Sequence, residues 1–442
     1  MSDGSGSLPR TLGFWSSVAV VIGISIGSGI FRSPAGVAQL LPEPRLVLAV
    51  WTAGGLISLC GALSLAELAA ALPRTGGIYA FLKEGWGQLA AFLFGWAELV
   101  LIRAAATGGI ARAFGDYLLG TFGLDPAQHD TAARLVSAAA IAAAAAANIR
   151  GVNLAAAIVR VSTGIKVAAL AFVVLASLAL GAGHGAEFAH FTAAASGPTT
   201  AGAFGLALVG ALWTYDGFAD VSYVAGEVKD PQKTLPRAIV TGTVALIAIY
   251  LLANVAYLYV QPVEAIARSP LAAAATMQAI FGRAGASMVS AFVMVATFSS
   301  LNGITLASPR IFFAMASDGL LFGVLARVHP RYRTPYASIL LTALLGIALV
   351  MSRSFEALTN TFVIAIWPFY ALAVAALFRL RATRPDLERP YRVVGYPFVP
   401  ALFVGAVIWF VGNALVTEPV STSITLLLIL AGVPVYLFTL RR

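Results

Sequence analysis

Two segments of the sequence place glycine beside polar or charged residues inside long apolar stretches. They are Gly23-Ile24-Ser25-Ile26-Gly27-Ser28-Gly29-Ile30-Phe31 and Trp213-Thr214-Tyr215-Asp216-Gly217-Phe218. Glycine lets a helix unwind and bares backbone N–H groups beside a helix N-terminus, where the partial positive charge suits a carboxylate. Unwound backbone around Asp216 would expose carbonyl oxygens to an ammonium group. Together the two segments predict a site for a small molecule that carries both charges.

Each segment also has a simpler structural interpretation. Small residues such as those around Gly27 let membrane helices pack closely, and Asp216 would serve only as the cap of a broken helix. A carboxylate within the bilayer costs at least about 2.5 kcal/mol unless it faces a cavity or a partner. Trp213 and Tyr215 are candidate aromatic gates, and packing against lipid is the alternative for both.

Lys166 is the most informative single charge. It lies inside a predicted apolar helix, in the segment Val161-Ser162-Thr163-Gly164-Ile165-Lys166-Val167-Ala168. This position is too deep for an obvious loop charge, although a lysine can snorkel toward the interface. The alternative to snorkelling is a cation fixed in the interior, where it pairs with carbonyl oxygens of a broken helix.

Five other charged residues lie in or near apolar runs: Glu67, Glu98, Arg103, Arg112 and Asp116. Arg112 and Asp116 are four positions apart, so we predict an ion pair within a helix. Glu98 and Arg103 are five positions apart and do not share the face of an α-helix cleanly. We interpret these charges mainly as structural pairs.

The elements that must hold these residues are membrane-spanning helices. Of the 442 residues 60% are hydrophobic and 11% are charged, whereas a soluble domain has about 25% charged residues. This composition excludes a soluble enzyme, a disordered chain and a nucleic-acid binder. Backbone polar groups in the lipid bilayer must pair within the segment, so apolar runs of about 20 residues are predicted to be helices. About twelve such runs lie near 13–40, 46–72, 88–119, 132–149, 154–181, 201–226, 237–260, 285–316, 336–352, 356–380, 397–417 and 421–440.

The two glycine-containing segments fall in the first and sixth runs, and Gly27 and Asp216 lie 189 positions apart. Interruptions at matching places in two halves point to the binding site of a transporter. We therefore predict an all-α protein with a five-plus-five inverted repeat and discontinuous helices 1 and 6. The predicted parts are a cytoplasmic tail at 1–12, repeats at 13–181 and 201–380, and helices 11 and 12 at 397–440.

The distribution of Lys and Arg predicts the orientation. The chain has 28 Lys and Arg against 19 Asp and Glu, a formal charge of +9. If the N-terminus is cytoplasmic, the cytoplasmic loops and termini hold 18 of the basic residues and the opposite loops hold 5. Cytoplasmic loops carry the excess of Lys and Arg in membrane proteins, so we predict that both termini are cytoplasmic. The basic residues form no single patch, which argues against nucleic acid as a partner.

Signs of catalysis are missing from the sequence. It contains no recognisable catalytic triad, phosphate loop or zinc-protease motif. Cys60 is the single cysteine, so neither an intramolecular disulfide nor a cysteine metal site is possible. We predict no catalytic residues, no metal site and no cofactor. The N-terminus lacks the pattern of a cleaved signal peptide, so the first apolar run is expected to remain as a helix.

Several motifs resemble those of the amino acid–polyamine–organocation superfamily. Ile26-Gly27-Ser28-Gly29-Ile30-Phe31 with Pro34 resembles its first-helix signature, and Trp213-Thr214-Tyr215-Asp216-Gly217-Phe218 resembles its sixth helix. Further similar motifs are Leu72-Pro73-Arg74-Thr75-Gly76-Gly77-Ile78-Tyr79, Glu227-Val228-Lys229-Asp230-Pro231, Leu235-Pro236-Arg237-Ala238-Ile239, Leu301-Asn302-Gly303, Ser308-Pro309-Arg310, Asp318-Gly319 and Arg389-Pro390-Tyr391-Arg392. The resemblance covers nearly the whole chain and is closest to the L-type amino acid transporter branch.

The resemblance implies the leucine-transporter fold and alternating access. It implies that the substrate carboxylate binds the amides of Gly27, Ser28 and Gly29. It also implies that the ammonium lies near carbonyl oxygens of Ser25, Trp213, Thr214 and Asp216. Trp213 falls where the family has a gating aromatic residue. Lys166 matches a helix-five lysine of sodium-independent members, whose ammonium occupies the region where sodium sits in relatives.

Ile26 and Tyr215 belong to the same two binding segments, and Phe298 and Asn302 on helix eight are further candidate contacts to the substrate. The sequence departs from the branch at Asp216-Gly217-Phe218, where many members have Gly-Gly-Trp. Animal heteromeric members carry a cysteine between helices three and four, and residues 121–130 contain none. We therefore expect no disulfide-linked heavy chain, and a prokaryotic protein of the cell inner membrane.

The function predicted from these observations is sodium-independent transport of neutral L-amino acids by alternating access, as an exchanger or a uniporter. A proton-coupled amino acid symporter is the alternative. A membrane-embedded enzyme lacks support, because no carboxylate pair, histidine cluster or metal site is recognisable. An ion channel would require repeated filter motifs or rings from several subunits, and two breaks in one chain fit a single-substrate site better.

Overall fold

The computed structural model describes residues 12–73, 76–150, 152–192, 200–317 and 320–439. The motif residues Arg74, Thr75, Asp318 and Gly319 lie outside the described residues, as do residues 1–11 of the predicted tail and Arg441 and Arg442. Where the chain is described, it is helical and contains no β-strand.

The α-helices are numbered in chain order. They are α1 (Phe14–Ser25), α2 (Gly29–Leu40), α3 (Pro44–Ala71), α4 (Ile78–Trp86), α5 (Gln88–Ala97), α6 (Arg103–Thr121), α7 (Asp130–Arg150), α8 (Val152–Leu180), α9 (Ala201–Tyr215), α10 (Pro231–Val260), α11 (Val263–Arg268), α12 (Ala272–Ser317, interrupted at Gly282), α13 (Tyr336–Ser352), α14 (Phe355–Thr383), α15 (Phe398–Thr417), α16 (Pro419–Leu430) and α17 (Gly432–Thr439). A π-helical turn, Glu98–Ile102, joins α5 to α6, and 3₁₀ turns occupy Phe188–Phe191, Asp220–Glu227 and Gly323–Ala326.

Among the described residues, 8 helical segments are long and apolar enough to cross a membrane, and the bent pair α1 and α2 makes up to 9. Two shorter apolar helices, Gly164–Leu180 and Tyr336–Ser352, belong to the fifth and ninth predicted runs. The sixth run is filled by α9 and the 3₁₀ turn Asp220–Glu227. Every apolar run in the sequence therefore corresponds to helix, which confirms the predicted all-α membrane architecture.

The order of elements in the first half returns in the second half. In both, a broken span is followed by a long helix, a short helix and three further spans. The short helices are α4 in the first half and α11 in the second. The two breaks thus occupy the same place in the order of their halves.

The two parts of the first span differ in burial. In α2 the residues from Gly29 to Ala35 are all buried, whereas the buried residues of α1 are Ser17, Val18, Val21 and Ser25. Trp15 in α1 is 75% exposed. The first two turns of α2 are therefore packed inside the protein on all sides, while α1 is packed on one side only.

Two tyrosine hydroxyls donate to backbone carbonyls of α2 near Pro34. Proline has no N–H, so the helix leaves the carbonyl of Ile30 without its usual partner four residues on. The hydroxyl of Tyr257 donates to this carbonyl at 3.3 Å, and the hydroxyl of Tyr117 donates to the carbonyl of Phe31 at 2.7 Å. These two bonds fasten α2 to α10 and to α6, and so fix the start of the helix against its neighbours.

Glu67 holds the segment between α14 and α15. Its carboxylate, fully buried, accepts two hydrogen bonds from Arg381 at 2.9 and 2.6 Å and one from the backbone N–H of Val393 at 2.7 Å. A buried carboxylate needs such partners. This confirms the structural interpretation of Glu67.

Candidate functional site

The first span is interrupted between Ser25 and Gly29, and the two helices that meet there are bent by 45°. The N–H of Gly27 donates to the carbonyl of Ser25 at 2.8 Å, which closes a tight turn, and Ile26 leaves the helical region at ψ 88°. The first turn of a helix has N–H groups without intrahelical partners. The start of α2 at Gly29 therefore presents donors and a partial positive charge at the interruption.

The sixth span is interrupted at Asp216 and Gly217. Asp216 is extended, with φ −62° and ψ 152°, and ends α9. Gly217 has φ +110°, a backbone conformation that residues other than glycine rarely adopt. The chain resumes as a 3₁₀ turn whose first N–H, from Asp220, donates to the carbonyl of Gly217 at 3.1 Å. The carbonyls at the end of α9 lie at this interruption without a continuing helix.

The two interruptions touch each other at two points. A Cβ atom on Gly29 would lie 2.6 Å from Oγ1 and 2.8 Å from Cα of Thr214. A Cβ atom on Gly217 would lie 2.7 Å from Oγ and 3.2 Å from the backbone N of Ser25. The start of α2 thus lies against the end of α9, and the end of α1 lies against the turn after α9. We call this contact region, residues 25–29 and 213–217, the crossing.

Buried polar groups are left over at the crossing. The hydroxyls of Ser25 and Ser28 are buried and have no hydrogen-bond partner within the described part of the chain. The Tyr215 hydroxyl, behind the crossing, also has no partner among the described residues. Buried polar groups are normally satisfied, and a polar ligand at the interruption of the first span would satisfy the two serines. The carbonyl of Ser25, in contrast, already accepts from Gly27 and from the hydroxyl of Tyr250 at 2.7 Å.

Trp213 and Tyr215 lie on different sides of α9. Trp213 packs edge-to-face against Phe355 and Phe362 of α14, with ring centroids 6.3 and 4.8 Å away. Tyr215 packs against Trp51 of α3 and is 1% exposed, so neither lipid nor solvent reaches it. The structure brings Trp213 to the boundary between the sixth and tenth spans and places Tyr215 in the core behind the crossing.

Lys166 is buried, with 4% of its surface exposed. Its ammonium donates to Oγ of Ser300 in α12 at 2.7 Å and to the carbonyl of Gly23 in α1 at 3.4 Å. A snorkelling lysine would reach the membrane surface instead. Lys166 therefore joins three spans next to the first interruption, as predicted for a cation fixed in the interior.

Glu98 and Arg103 form an ion pair because the helix between them is a π turn. The N–H of Arg103 bonds to the carbonyl of Glu98, a spacing that brings residues five apart onto one face. The Arg103 guanidinium donates to both carboxylate oxygens of Glu98, at 3.1 Å from Nη2 to Oε1 and through Nε to Oε2. The expectation that these residues share no face assumed a regular α-helix and was wrong, whereas the structural pairing is confirmed.

The side chain of Asp216 is held by the tenth span. Its Oδ1 accepts a hydrogen bond from the hydroxyl of Tyr370 in α14 at 2.9 Å. This bond links the interruption of the sixth span to the tenth span.

The two candidates on α12 face the third and fourth spans. The ring of Phe298 lies 5.6 Å from that of Phe114 in α6. Asn302 is fully buried, and its Oδ1 accepts from Nδ2 of Asn148 in α7 at 2.9 Å. Ser300, between them, accepts a hydrogen bond from Lys166, which also bonds to Gly23 of the first span.

A network of ion pairs connects α2 to its neighbouring helices. Asp116 receives Arg32 of α2 at 3.2 Å and Arg112 at 2.9 Å, which confirms the predicted pair of Arg112 with Asp116. Arg32 also contacts Glu356 of α14 at 2.9 Å, and Arg112 contacts Asp130 of α7 at 2.7 Å. Four spans are tied together here, and the Arg32 guanidinium lies 4.8 Å from the ring centroid of Phe355, which also contacts Trp213.

Replacing Asp116 with alanine is expected to destabilise the protein strongly. Asp116 is 0% exposed, and its loss leaves two buried guanidinium groups without this partner, which costs about 3–5 kcal/mol. The apparent midpoint of thermal unfolding in detergent should fall. Glu388→Ala, which removes an exposed carboxylate, is the control and should leave the midpoint unchanged. An unchanged midpoint for Asp116→Ala would show that the network carries little stability.

Three residues of this region were missed by sequence reasoning: Tyr250, Ser300 and Tyr370. Each is a hydroxyl on a long apolar helix that contacts a residue near one of the two interruptions. Ser300 stands between the two helix-eight candidates, but tyrosines such as Tyr250 and Tyr370 carry no local signal of their role. Within the described ranges, no group of three His, Cys, Asp or Glu residues has the arrangement of a metal site.

Comparison with known proteins gives consistent similarities. The amino acid permease family matches residues 12–436. The serine/threonine exchanger SteT of Bacillus subtilis (strain 168) is 30% identical over 99% of this chain and 98% of its own length. The cystine/glutamate transporter of Homo sapiens is 33% identical over 97% of this chain and 85% of its own. The large neutral amino acids transporter small subunit 2 of Oryctolagus cuniculus is 31% identical over 98% and 81%.

Proposed function

Because the chain belongs to the amino acid permease family, a family of transporters and not of enzymes, we propose that it moves neutral L-amino acids across the membrane by alternating access. In this proposal it needs no sodium and works as an exchanger or a uniporter. The observation that carries the proposal is the crossing, where the donors at the start of α2 lie against the carbonyl end of α9.

The crossing suits the two charged groups that all amino acids share. The amides of Gly27, Ser28 and Gly29 would bind the carboxylate, as anions bind at helix N-termini. Carbonyl oxygens of Trp213, Thr214 and Asp216 would accept from the ammonium. The Ser25 carbonyl would join them only by giving up one of its two present donors. The unpartnered Ser25 and Ser28 hydroxyls support a polar ligand at this position.

A neutral side chain fits the surroundings of the crossing. Ser25, Ser28, Trp213 and Thr214 are uncharged, and the carboxylate of Asp216 is engaged by Tyr370. Among the relatives, one is a serine/threonine exchanger and one transports large neutral amino acids by name. We therefore propose uncharged amino acids as the substrates. Because one relative is a cystine/glutamate transporter, anionic amino acids are tested beside them.

The burial of the first span supports access to the site from the cytoplasmic side. The positive-inside distribution would place the N-terminus and α1 at the cytoplasmic face. The α2 side is sealed by Arg32 with Asp116 and Glu356, while α1 is packed on one side only. Access from the cytoplasm would then require only movement of α1, and access from outside would require breaking the charge network.

We also propose that the protein acts without a disulfide-linked heavy chain.

Uptake of a labelled neutral amino acid into proteoliposomes tests the proposed function. Vesicles preloaded with unlabelled amino acid should take up the label faster than empty vesicles if the protein exchanges substrates. Equal rates would indicate a uniporter. Uptake driven by an acid exterior would support the alternative, a proton-coupled symporter. No uptake of any amino acid under these conditions would contradict the proposal.

The substrate is expected to need both free α-groups, because donors come from one interruption and acceptors from the other. Amino acid amides, which lack the carboxylate, and N-acetylated amino acids, which lack the ammonium, should compete weakly for uptake. Parent amino acids in the same series are the control. Strong competition by both kinds of analogue would rule out recognition through the crossing.

A further inference from the structure

One face of α14 contacts the sixth span on both sides of its interruption. Phe355 and Phe362 contact Trp213. About two turns beyond Phe362, the ring of Tyr370 lies 5.7 Å from that of Phe218. Positions 355, 362 and 370 are seven and eight residues apart, which keeps them on one side of a helix. The tenth span thus contacts the sixth span both before and after the break.

Among these three residues of α14, Tyr370 makes a hydrogen bond to the sixth span. Its side chain is fully buried, and its hydroxyl donates to Oδ1 of Asp216 at 2.9 Å. Its ring is further fixed by Trp367, whose centroid lies 5.9 Å away. A hydroxyl on a ring held in this way has little freedom, so it determines where the carboxylate of Asp216 can lie.

We propose that Tyr370 is a positioning residue of the substrate site, which acts on the substrate only through Asp216. This inference rests on the proposed function. The carboxylate of Asp216 serves as an anchor that Tyr370 holds, and the backbone carbonyl at the break, which the anchor orients, meets the substrate ammonium. The tenth span therefore helps set the affinity for amino acids although it provides no direct ligand for their α-groups.

The backbone at the break explains why an anchor is needed. Asp216 is extended, and Gly217, which follows it, has a positive φ and the wide freedom of glycine. Neither residue is fixed by the hydrogen bonds of a continuing helix. Without the bond to Tyr370, several orientations of the Asp216 carbonyl become accessible, and an ordering cost is added to substrate binding.

Tyr370→Phe tests the proposal, because it removes the hydroxyl and keeps the ring contacts. The net contribution of a buried hydrogen bond is enough to change affinity up to about tenfold. We expect KM for the transported amino acid to rise about tenfold, with kcat changed by less than about twofold. Tyr391→Phe is the matched control: its hydroxyl is buried without a partner among the described residues, on the segment after α14. This control should transport with an unchanged KM.

A double variant separates positioning from a general structural effect. If Tyr370 acts through Asp216, adding Tyr370→Phe to Asp216→Ala, which removes the acceptor oxygen, should raise KM by less than about twofold beyond Asp216→Ala alone. Additive effects, or an unchanged KM in Tyr370→Phe, would overturn the inference. Wild-type transport is measured in parallel, so a failure of the proposed function, which abolishes wild-type uptake as well, is distinguished from a failure of this inference.

Discussion

Gly29→Val is expected to abolish substrate binding and transport while the protein still inserts in the membrane. A Cβ atom at this position would lie 2.8 Å from the Cα of Thr214, closer than real side chains approach backbone. The branched side chain must push α2 and α9 apart, and it covers the amides that the carboxylate needs. Binding of labelled amino acid to the purified variant and its amount in membranes are the measurements.

Gly412→Val is the matched control for this prediction. Gly412 lies in α15, and a Cβ atom there meets nothing within 4 Å. It should bind and transport as the wild type does. Gly29→Ala introduces the same Cβ contact without the branches, so it should also weaken binding strongly, and it is measured if the valine variant is unstable. Normal binding by a correctly inserted Gly29→Val protein would show that the glycine serves packing only.

Lys166→Ala is expected to slow transport severely or to change its asymmetry between the two faces of the membrane. The Lys166 ammonium joins α8 to the Gly23 carbonyl of α1 and to Ser300 of α12. We propose that this fixed cation does the work of a bound sodium ion, since it ties the first span to the fifth and eighth. Its loss leaves the carbonyl and hydroxyl partners without a cation and releases α1.

Uptake with choline in place of sodium, in wild type and variant, measures both parts of this prediction. Wild-type uptake should be the same in the two salts. Lys233→Ala removes an exposed lysine and should transport normally, which controls for the change in net charge. Wild-type uptake that collapses in choline, or normal transport by Lys166→Ala from both faces, would contradict the role proposed for Lys166.

The helices were predictable because apolar length is a strong and local signal. Each run of about 20 apolar residues corresponds to helix where the chain is described, and the interruption at Gly27 was visible from its glycines. The interruption at Asp216 was visible because a charge and a glycine stand together in an apolar run. The depth of Lys166 in such a run favoured an interior position over snorkelling, without excluding the latter. The division into two repeats and the orientation of the termini stay predictions.

The partners of these residues were not predictable from spacing. The contact of Tyr370 with Asp216 joins positions 154 residues apart, and nothing near Tyr370 in the sequence marks its direction. The shared face of Glu98 and Arg103 was not predictable, because a π turn changes which spacing shares a face. The sides on which Tyr215 and Asn302 lie depend on how whole helices rotate during packing, which a single sequence leaves open.

Equilibrium binding of a labelled neutral amino acid to the purified protein, in buffer without sodium, tests the central claim most directly. We expect saturable binding that unlabelled neutral amino acids displace and that their amides and N-acetyl derivatives do not. Binding that appears only when sodium is added, or that both kinds of analogue displace as well as the parent amino acid, would contradict it.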